Sequence, residues 1–219
     1  MEIPYYPGCS LQSTAKEYNM SAEVVCKHLG MELIEIEDWN CCGALEVSSL
    51  NSTLATSLVA RNLKITSERS DKLAVACNAC LNNLISVQHK LSSNEELRQK
   101  ICGMLDYEFR EIEIKHILDL IWKDIGLDVI EKNVQKELKD LKTVSYYGCL
   151  SVRPSKLMNS DDPDNPTRLD DIVSVLGGEP LEFTSKTKCC GGGILMTYRD
   201  KATKMAEDIL SEAGERGAQ

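Results

Sequence analysis

Ile3-Pro4-Tyr5-Tyr6-Pro7-Gly8-Cys9 and Val144-Ser145-Tyr146-Tyr147-Gly148-Cys149 are two copies of one signal, a short β-prone run that stops at Gly-Cys. Downstream of each lies an adjacent cysteine pair closed by glycine, Cys41-Cys42-Gly43 in the first half and Cys189-Cys190-Gly191 in the second. The order of elements between these landmarks repeats as well. After Cys9, Ala15, Tyr18, Ala22, Val25, Cys26 and Leu29 recur at helical intervals, Thr14 and Glu17 have capping-box spacing, and Gly30 stops the pattern. Leu33 to Ile36 then alternates like a strand, and Trp39 to Gly43 reads as a loop. A helix from about Ser52 to Arg69 leads to a buried-looking strand, Leu73 to Ala76, and Cys77-Asn78-Ala79-Cys80 opens another helix.

In the second half, Val144 to Tyr147 predicts a strand, followed by a polar, proline-bearing stretch from Ser160 to Pro166. A helix near Thr167 to Leu176 ends at Gly177-Gly178, Leu181 to Phe183 predicts a short strand, and a helix covers about Asp200 to Ala213. Strands alternating with helices predict an α/β fold with parallel pairing. The expected organisation is two related lobes, each a small parallel sheet with flanking helices, at residues 1–92 and 142–219. A charged, periodic insert at 93–141, two or three helices long, joins them.

Bulk properties narrow the function. A net charge of −9 argues against a sequence-independent grip on nucleic acid. No apolar run approaches the roughly 20 residues that span a bilayer, and the start, Met-Glu-Ile-Pro-Tyr-Tyr, lacks the features of a signal peptide. The reading is cytoplasmic and not membrane-spanning. Ten cysteines in 219 residues is rich for a reducing compartment, where clustered cysteines point to metal or redox chemistry rather than to structural disulfides.

Cys9, Cys41, Cys42, Cys77 and Cys80 all fall where strands end or loops begin. In an open α/β fold the carboxyl ends of parallel strands converge on one edge, so these cysteines can meet in space. A disulfide between adjacent cysteines closes a strained ring, whereas two thiolates can ligate neighbouring metals. A Cys-x-x-Cys at a helix start gains the unpaired N–H groups and the dipole there. Five thiols exceed the four that zinc or an ordinary cubane cluster needs. Thioredoxin-like exchange at Cys77 and Cys80 is the competing reading, and it leaves Cys9, Cys41 and Cys42 unused.

The motifs Tyr6-Pro7-Gly8-Cys9, Trp39-Asn40-Cys41-Cys42-Gly43 and Cys77-Asn78-Ala79-Cys80 resemble those of the CCG-type cysteine-rich domain family. So do Tyr146-Tyr147-Gly148-Cys149-Leu150, Val152-Arg153-Pro154, Asp162-Pro163-Asp164-Asn165-Pro166 and Cys189-Cys190-Gly191, and the whole chain is similar to the B subunit of heterodisulfide reductase. The resemblance implies an oxidoreductase acting on a sulfur group within a complex. A disulfide such as CoM-S-S-CoB, the family substrate in methanogenesis, would be reduced to two thiols at noncubane [4Fe–4S] clusters. Electrons would come from a cubane iron–sulfur subunit fed by a flavin subunit. By motif, Cys9, Cys41, Cys42, Cys77 and Cys80 would hold one cluster, and Cys149, Cys189 and Cys190 would belong to a second.

The second lobe departs from the pattern. Only 29 residues follow Cys190, without the final strand and Cys-x-x-Cys of the first lobe. The expectation is a lobe cut short, either by truncation or as a natural variant with an incomplete second site, with an exposed sheet edge and an uncertain second cluster. No catalytic residue beyond the ligands is identified. Arg153 and Lys188, beside the second-lobe cysteines, are candidates to bind acidic groups of a substrate; Lys156 and Lys186 read as solvated charges. Cys26 and Cys102 read as structural, and His28, His89 and His116 as surface or helix-end residues. Two alternatives stand: an electron-transfer subunit of a CCG-containing succinate, glycolate or lactate dehydrogenase, or a non-enzymatic metal-binding protein.

Overall fold

The computed structural model describes every residue except Leu45, Asn159 and Asp161, together with the side chain of Glu46. Asp161, inside the proline-bearing stretch, therefore lies outside the described residues. The chain divides into two compact units, Met1–Ile121 and Trp122–Gln219.

The first unit is built on a four-stranded, all-parallel sheet of β1 (Glu2–Tyr6), β2 (Glu32–Glu35), β3 (Lys72–Val75) and β4 (Glu113–His116), in spatial order β2-β1-β3-β4. Ile3 pairs with Leu33, and Tyr5 with Ala74. Leu73, Ala74 and Val75 are all buried, the continuous apolar run that a central parallel strand requires. The outer strands carry Glu32 and Glu35 on β2, and Glu113 and Lys115 on β4, charges that discourage edge pairing.

Helices supply the crossovers. α1 (Lys16–His28) buries Ala22 and Cys26, and Gly30 follows it with φ +84°. The expected capping box does not form: the helix starts one residue later, at an Ala15 cap with no side-chain bond. Tyr18 and Val25, expected on the apolar stripe, are 44% and 42% exposed. After the short α2 (Glu46–Leu50), the Asn51 side chain accepts from Leu54 N–H at 2.9 Å and starts α3 (Ser52–Ser67). α4 (Asn78–Ser93) begins directly after β3, and Asn94 caps α5 (Glu95–Leu105) in the same way as Asn51. α3 packs on α4 and α5 through fully buried Leu63, Leu84, Leu91 and Ile101, each contributing about 1.5–3 kcal/mol by burial.

The segment expected to be purely helical contains a strand. α5 is followed by β4, then α6 (Ile117–Asp119), a π-helical turn (Leu120–Gly126) and α7 (Leu127–Asn133). Cys102 is buried on α5, and His116 caps α6, its Nδ1 accepting from Leu118 N–H at 3.1 Å.

The second unit carries a two-stranded parallel sheet of β5 (Lys142–Thr143) and β6 (Glu179–Pro180). Both strands lie just before the predicted runs. Val144 to Tyr147 leaves the ladder, and the N–H groups of Tyr147 and Gly148 both donate to Lys186 C=O, at 2.9 and 3.1 Å. α8 (Ser155–Met158), α9 (Arg168–Val175), a 3-10 turn (Gly192–Ile194) and α10 (Arg199–Glu215) complete the unit. Lys186 is the clearest correction to the sequence reading. Its side chain is 8% exposed and pairs with Asp170 on α9 at 2.5 Å, while Nζ also donates to Pro166 C=O at 3.2 Å. Lys156 is exposed, as expected of a solvated charge.

Candidate functional site

In the first unit the chain reverses its direction of travel across the sheet between β1 and β3, and the crevice outside the carboxyl ends there is where such folds place ligands. All five first-lobe cysteines come to this edge. Cys9 follows β1, Cys41 and Cys42 sit in the loop after β2, and Cys77 caps α4 straight after β3, with Cys80 in the first helical turn. The sulfurs of Cys9 and Cys41 lie 3.6 Å apart, and those of Cys42 and Cys80 lie 3.4 Å apart. Cys42 and Cys80 are buried beneath, whereas Cys9 and Cys41 are exposed. Among the described residues, no three Cys, His, Asp or Glu side chains group around one point as ligands of a single ion.

Donors surround these sulfurs. Gly43 N–H points at Cys41 Sγ at 3.4 Å, a direction that depends on the left-handed φ of +77° at Gly43. Asn83 Nδ2 reaches Cys42 Sγ at 3.7 Å and Ala44 C=O at 2.8 Å. The sulfur contact with Cys80 draws Cys42 down to about 6 against the effect of burial, helped by Ala44 N–H and Asn83. Cys77 also falls to about 6, chiefly through Cys80, then through the Cys80 and Ala79 N–H groups at the helix start. Cys80 itself is pushed up by those two thiols and by burial. Burial raises Cys41 to about 11, opposed by Gly43 N–H. Gly8, at φ +77°, is required where it stands, since a Cβ there would meet Cys80 Sγ at 3.0 Å.

The loop bearing Cys41 and Cys42 is held by Asn40. Its N–H donates to Asn62 Oδ1 at 3.0 Å, and its C=O accepts from Asn62 Nδ2 at 2.7 Å and from Tyr6 Oη at 2.9 Å. Trp39 stands edge-on to Tyr6, with ring centres 5.2 Å apart, and donates Nε1–H to Glu35 at 2.7 Å. Sequence reasoning missed Asn62 and Asn83, helix-face residues with no local signal. It noted Tyr6 only as part of the repeat and of the Tyr6-Pro7-Gly8-Cys9 motif, with no role of its own.

In the second unit the same parts recur with fewer thiols. Cys149 follows Gly148 (φ +71°), and Gly191 (φ +79°) points its N–H at Cys189 Sγ at 3.4 Å, matching Gly43 and Cys41. Burial, then the nearby Cys189, raises the Cys149 pKa. Cys189 and Cys190 are exposed. Arg153 pairs with Asp164 in the proline-bearing loop, and Lys188, 59% exposed, lies 3.9 Å from Glu212. Cys26, which is buried, lies on the inner face of α1 outside this site.

The repeated geometry has a counterpart in sequence families. The CCG cysteine-rich domain matches this chain twice, at residues 3–85 and 143–219. The chain belongs to the CCG cysteine-rich domain family. Relatives of this CCG protein include the 8-methylmenaquinol:fumarate reductase membrane anchor subunit of Wolinella succinogenes, 28% identical over 99% of this chain and 76% of that one. The B subunit of the ferredoxin:CoB-CoM heterodisulfide reductase of Methanosarcina mazei is 26% identical over 97% of this chain and 74% of its own length. A protein of Archaeoglobus profundus, named as similar to the heterodisulfide reductase B subunit, is 26% identical, covering 95% of this chain and 72% of that one. The CCG chain is thus similar to the heterodisulfide reductase B subunit over nearly its whole length. A crystal structure of a hypothetical protein from Helicobacter pylori shares the fold with TM-score 0.69 at 13% identity, over 99% of this chain. The chain spans about two fifths, 40%, of that protein. No helix among the described residues is long and apolar enough to cross a membrane.

Proposed function

We propose that this CCG protein is an iron–sulfur subunit of a reductase complex, with its first cluster held by Cys9, Cys41, Cys42, Cys77 and Cys80. One observation carries the reading: three successive strand ends bring five cysteines to one edge of the sheet, with two of their sulfur pairs in contact, Cys9–Cys41 at the surface and Cys42–Cys80 buried. The donor set fits the group, since soft thiolates suit iron–sulfur clusters and N–H donors aimed at sulfur stabilise the charge it carries. When bound there, a noncubane [4Fe–4S] cluster would supply one-electron transfer. The chain's own residues divide the remaining work. Cys42 and Cys80 anchor from below, Gly43 and Asn83 orient the sulfurs, and Cys9 and Cys41 face the side from which a substrate approaches. Cys149, Cys189 and Cys190 are assigned to the second site.

The reaction proposed is two-electron reduction of a disulfide to two thiols, by likeness to the heterodisulfide reductase subunits. The partners would be a cubane iron–sulfur subunit and a flavin subunit, and the place of work the cytoplasm. Arg153 and Lys188, both partly exposed, are the proposed contacts for an acidic disulfide. A second reading, an electron-transfer subunit without disulfide chemistry, is favoured by the 28% likeness to a fumarate reductase subunit. Turnover of disulfides by the complete, anaerobically purified complex separates the two. Stoichiometric thiol release supports the first; electron transfer to another acceptor with no thiol released supports the second.

A further inference from the structure

Tyr146 Oη donates to Lys188 C=O at 2.8 Å, and Tyr6 Oη donates to Asn40 C=O at 2.9 Å. In each unit the tyrosine stands three residues before the Gly-Cys cysteine, and the carbonyl belongs to the residue directly before the cysteine pair. The ring also lies over the intervening glycine. A Cβ on Gly8 would meet Tyr6 Cε1 at 3.7 Å, and one on Gly148 would meet Tyr146 Oη at 3.5 Å. The acceptor is backbone, so this bond by itself places no demand on residue type, and it forms at an asparagine in one unit and a lysine in the other.

A buried phenol must find a partner, and Tyr6 is fully buried. Tyr146 is 37% exposed and has water within reach, yet it takes the same carbonyl. Burial alone therefore does not account for the bond. Each hydroxyl ties the segment carrying the first cysteine (Cys9 or Cys149) to the segment carrying the pair (Cys41-Cys42 or Cys189-Cys190). It fixes the distance between them.

We propose that Tyr6 and Tyr146 are equivalent positioning residues that set the spacing between the Gly-Cys and Cys-Cys-Gly segments of each unit. The role for a bound cluster rests on the function proposed above; the spacing role in the bare protein does not. The two bonds differ in one respect. Asn40 C=O has a second donor in Asn62, whereas Lys188 C=O has Tyr146 as its one side-chain donor among the described residues. Tyr146 therefore carries more of its own loop.

The test uses the full chain without metal and the variants Tyr6→Phe, Tyr146→Phe and Tyr5→Phe, which all keep the ring. Tyr5 is the control, because its buried hydroxyl bonds Asn19 on α1 at 2.8 Å, away from both segments. By amide hydrogen exchange, Tyr6→Phe is expected to speed exchange at residues 41–43 about threefold, and Tyr146→Phe at 189–191 about fivefold. The sheets should stay unchanged. Exchange unaltered in these loops, or raised evenly through the unit as for any lost buried hydrogen bond, overturns the proposal. After anaerobic reconstitution, Tyr6→Phe should release iron to a chelator about tenfold faster and alter the paramagnetic resonance signal, and Tyr5→Phe should do neither. If no iron is taken up, the proposed function fails while the exchange result still decides the positioning role.

Discussion

The Tyr146 hydroxyl reaches across 42 positions of sequence to the carbonyl of Lys188, and Tyr6 makes the same bond across 34 positions to Asn40. The two units therefore share a way of holding cysteine loops as well as a motif order. The shared parts are a phenol before Gly-Cys, a backbone carbonyl before Cys-Cys, and a left-handed glycine whose N–H meets the first sulfur of the pair.

Asn62 bonds both backbone groups of Asn40 while fully buried. Asn62→Ala strands an N–H and leaves a carbonyl with fewer donors, and is expected to cost about 2 kcal/mol. Urea denaturation of the variant, compared with Asn83→Ala, measures it. An unchanged midpoint would mean that water replaces the side chain fully.

Gly191→Ala meets two obstacles. Its φ is +79°, and an added Cβ would fall 2.7 Å from Ala202 Cα on α10. Strain and overpacking together predict a loss of about 2–4 kcal/mol. Gly103→Ala, in open space within α5, should be neutral or slightly stabilising. Thermal unfolding of the pair tests the contrast.

Glu212 accepts from Thr184 N–H, from the Thr184 hydroxyl and from the Ser185 hydroxyl, with Lys188 and Arg216 nearby. The Ser185 hydroxyl, then that of Thr184, holds this carboxyl at about 2, below the usual 4.5. Because the folded value is depressed, the stabilisation is full above pH 4.5 and fades as pH falls toward 2. Glu212→Gln should be less stable than the parent at pH 7, with the gap closing in that acid window. A constant gap from about pH 7 down to about 2 would contradict the assignment.

Much of this was legible in the sequence, for identifiable reasons. β1, β2 and β3 are short β-prone runs ended by turn or cysteine residues, and the Cys77-x-x-Cys80 helix start follows from the strand before it. β4 was not legible. Glu113-Ile114-Lys115-His116 lies at a sheet edge, where burial is partial and the apolar pattern correspondingly weak. β5 and β6 are two residues each, too short to print a period. Lys186 looked solvated because its partner Asp170 arrives from α9, 16 positions upstream. The failed capping box at Thr14 shows the same limit, since spacing permits a cap without requiring one. In the site, the cysteines carried their own signal. Asn62 and the two tyrosines act through backbone groups, which leave no trace in residue identity, and Asn83 reaches Cys42 from a helix face 41 positions downstream.

Cysteine roles divide the same way. Cys77→Ala should cost half or more of the iron bound by the reconstituted chain, whereas Cys26→Ala, altering a buried residue on α1, should lower stability and leave iron content unchanged. Iron lost equally in both would mean that retention reports folding rather than ligation.

The central claim is that the first-lobe thiols hold an iron–sulfur cluster, and iron with acid-labile sulfide per chain tests it most directly, on protein purified or reconstituted without oxygen. The account predicts about four of each from the first lobe, rising to about eight if Cys149, Cys189 and Cys190 also assemble one. Zinc or disulfides in place of iron and sulfide would contradict it and return Cys77 and Cys80 to ordinary thiol exchange.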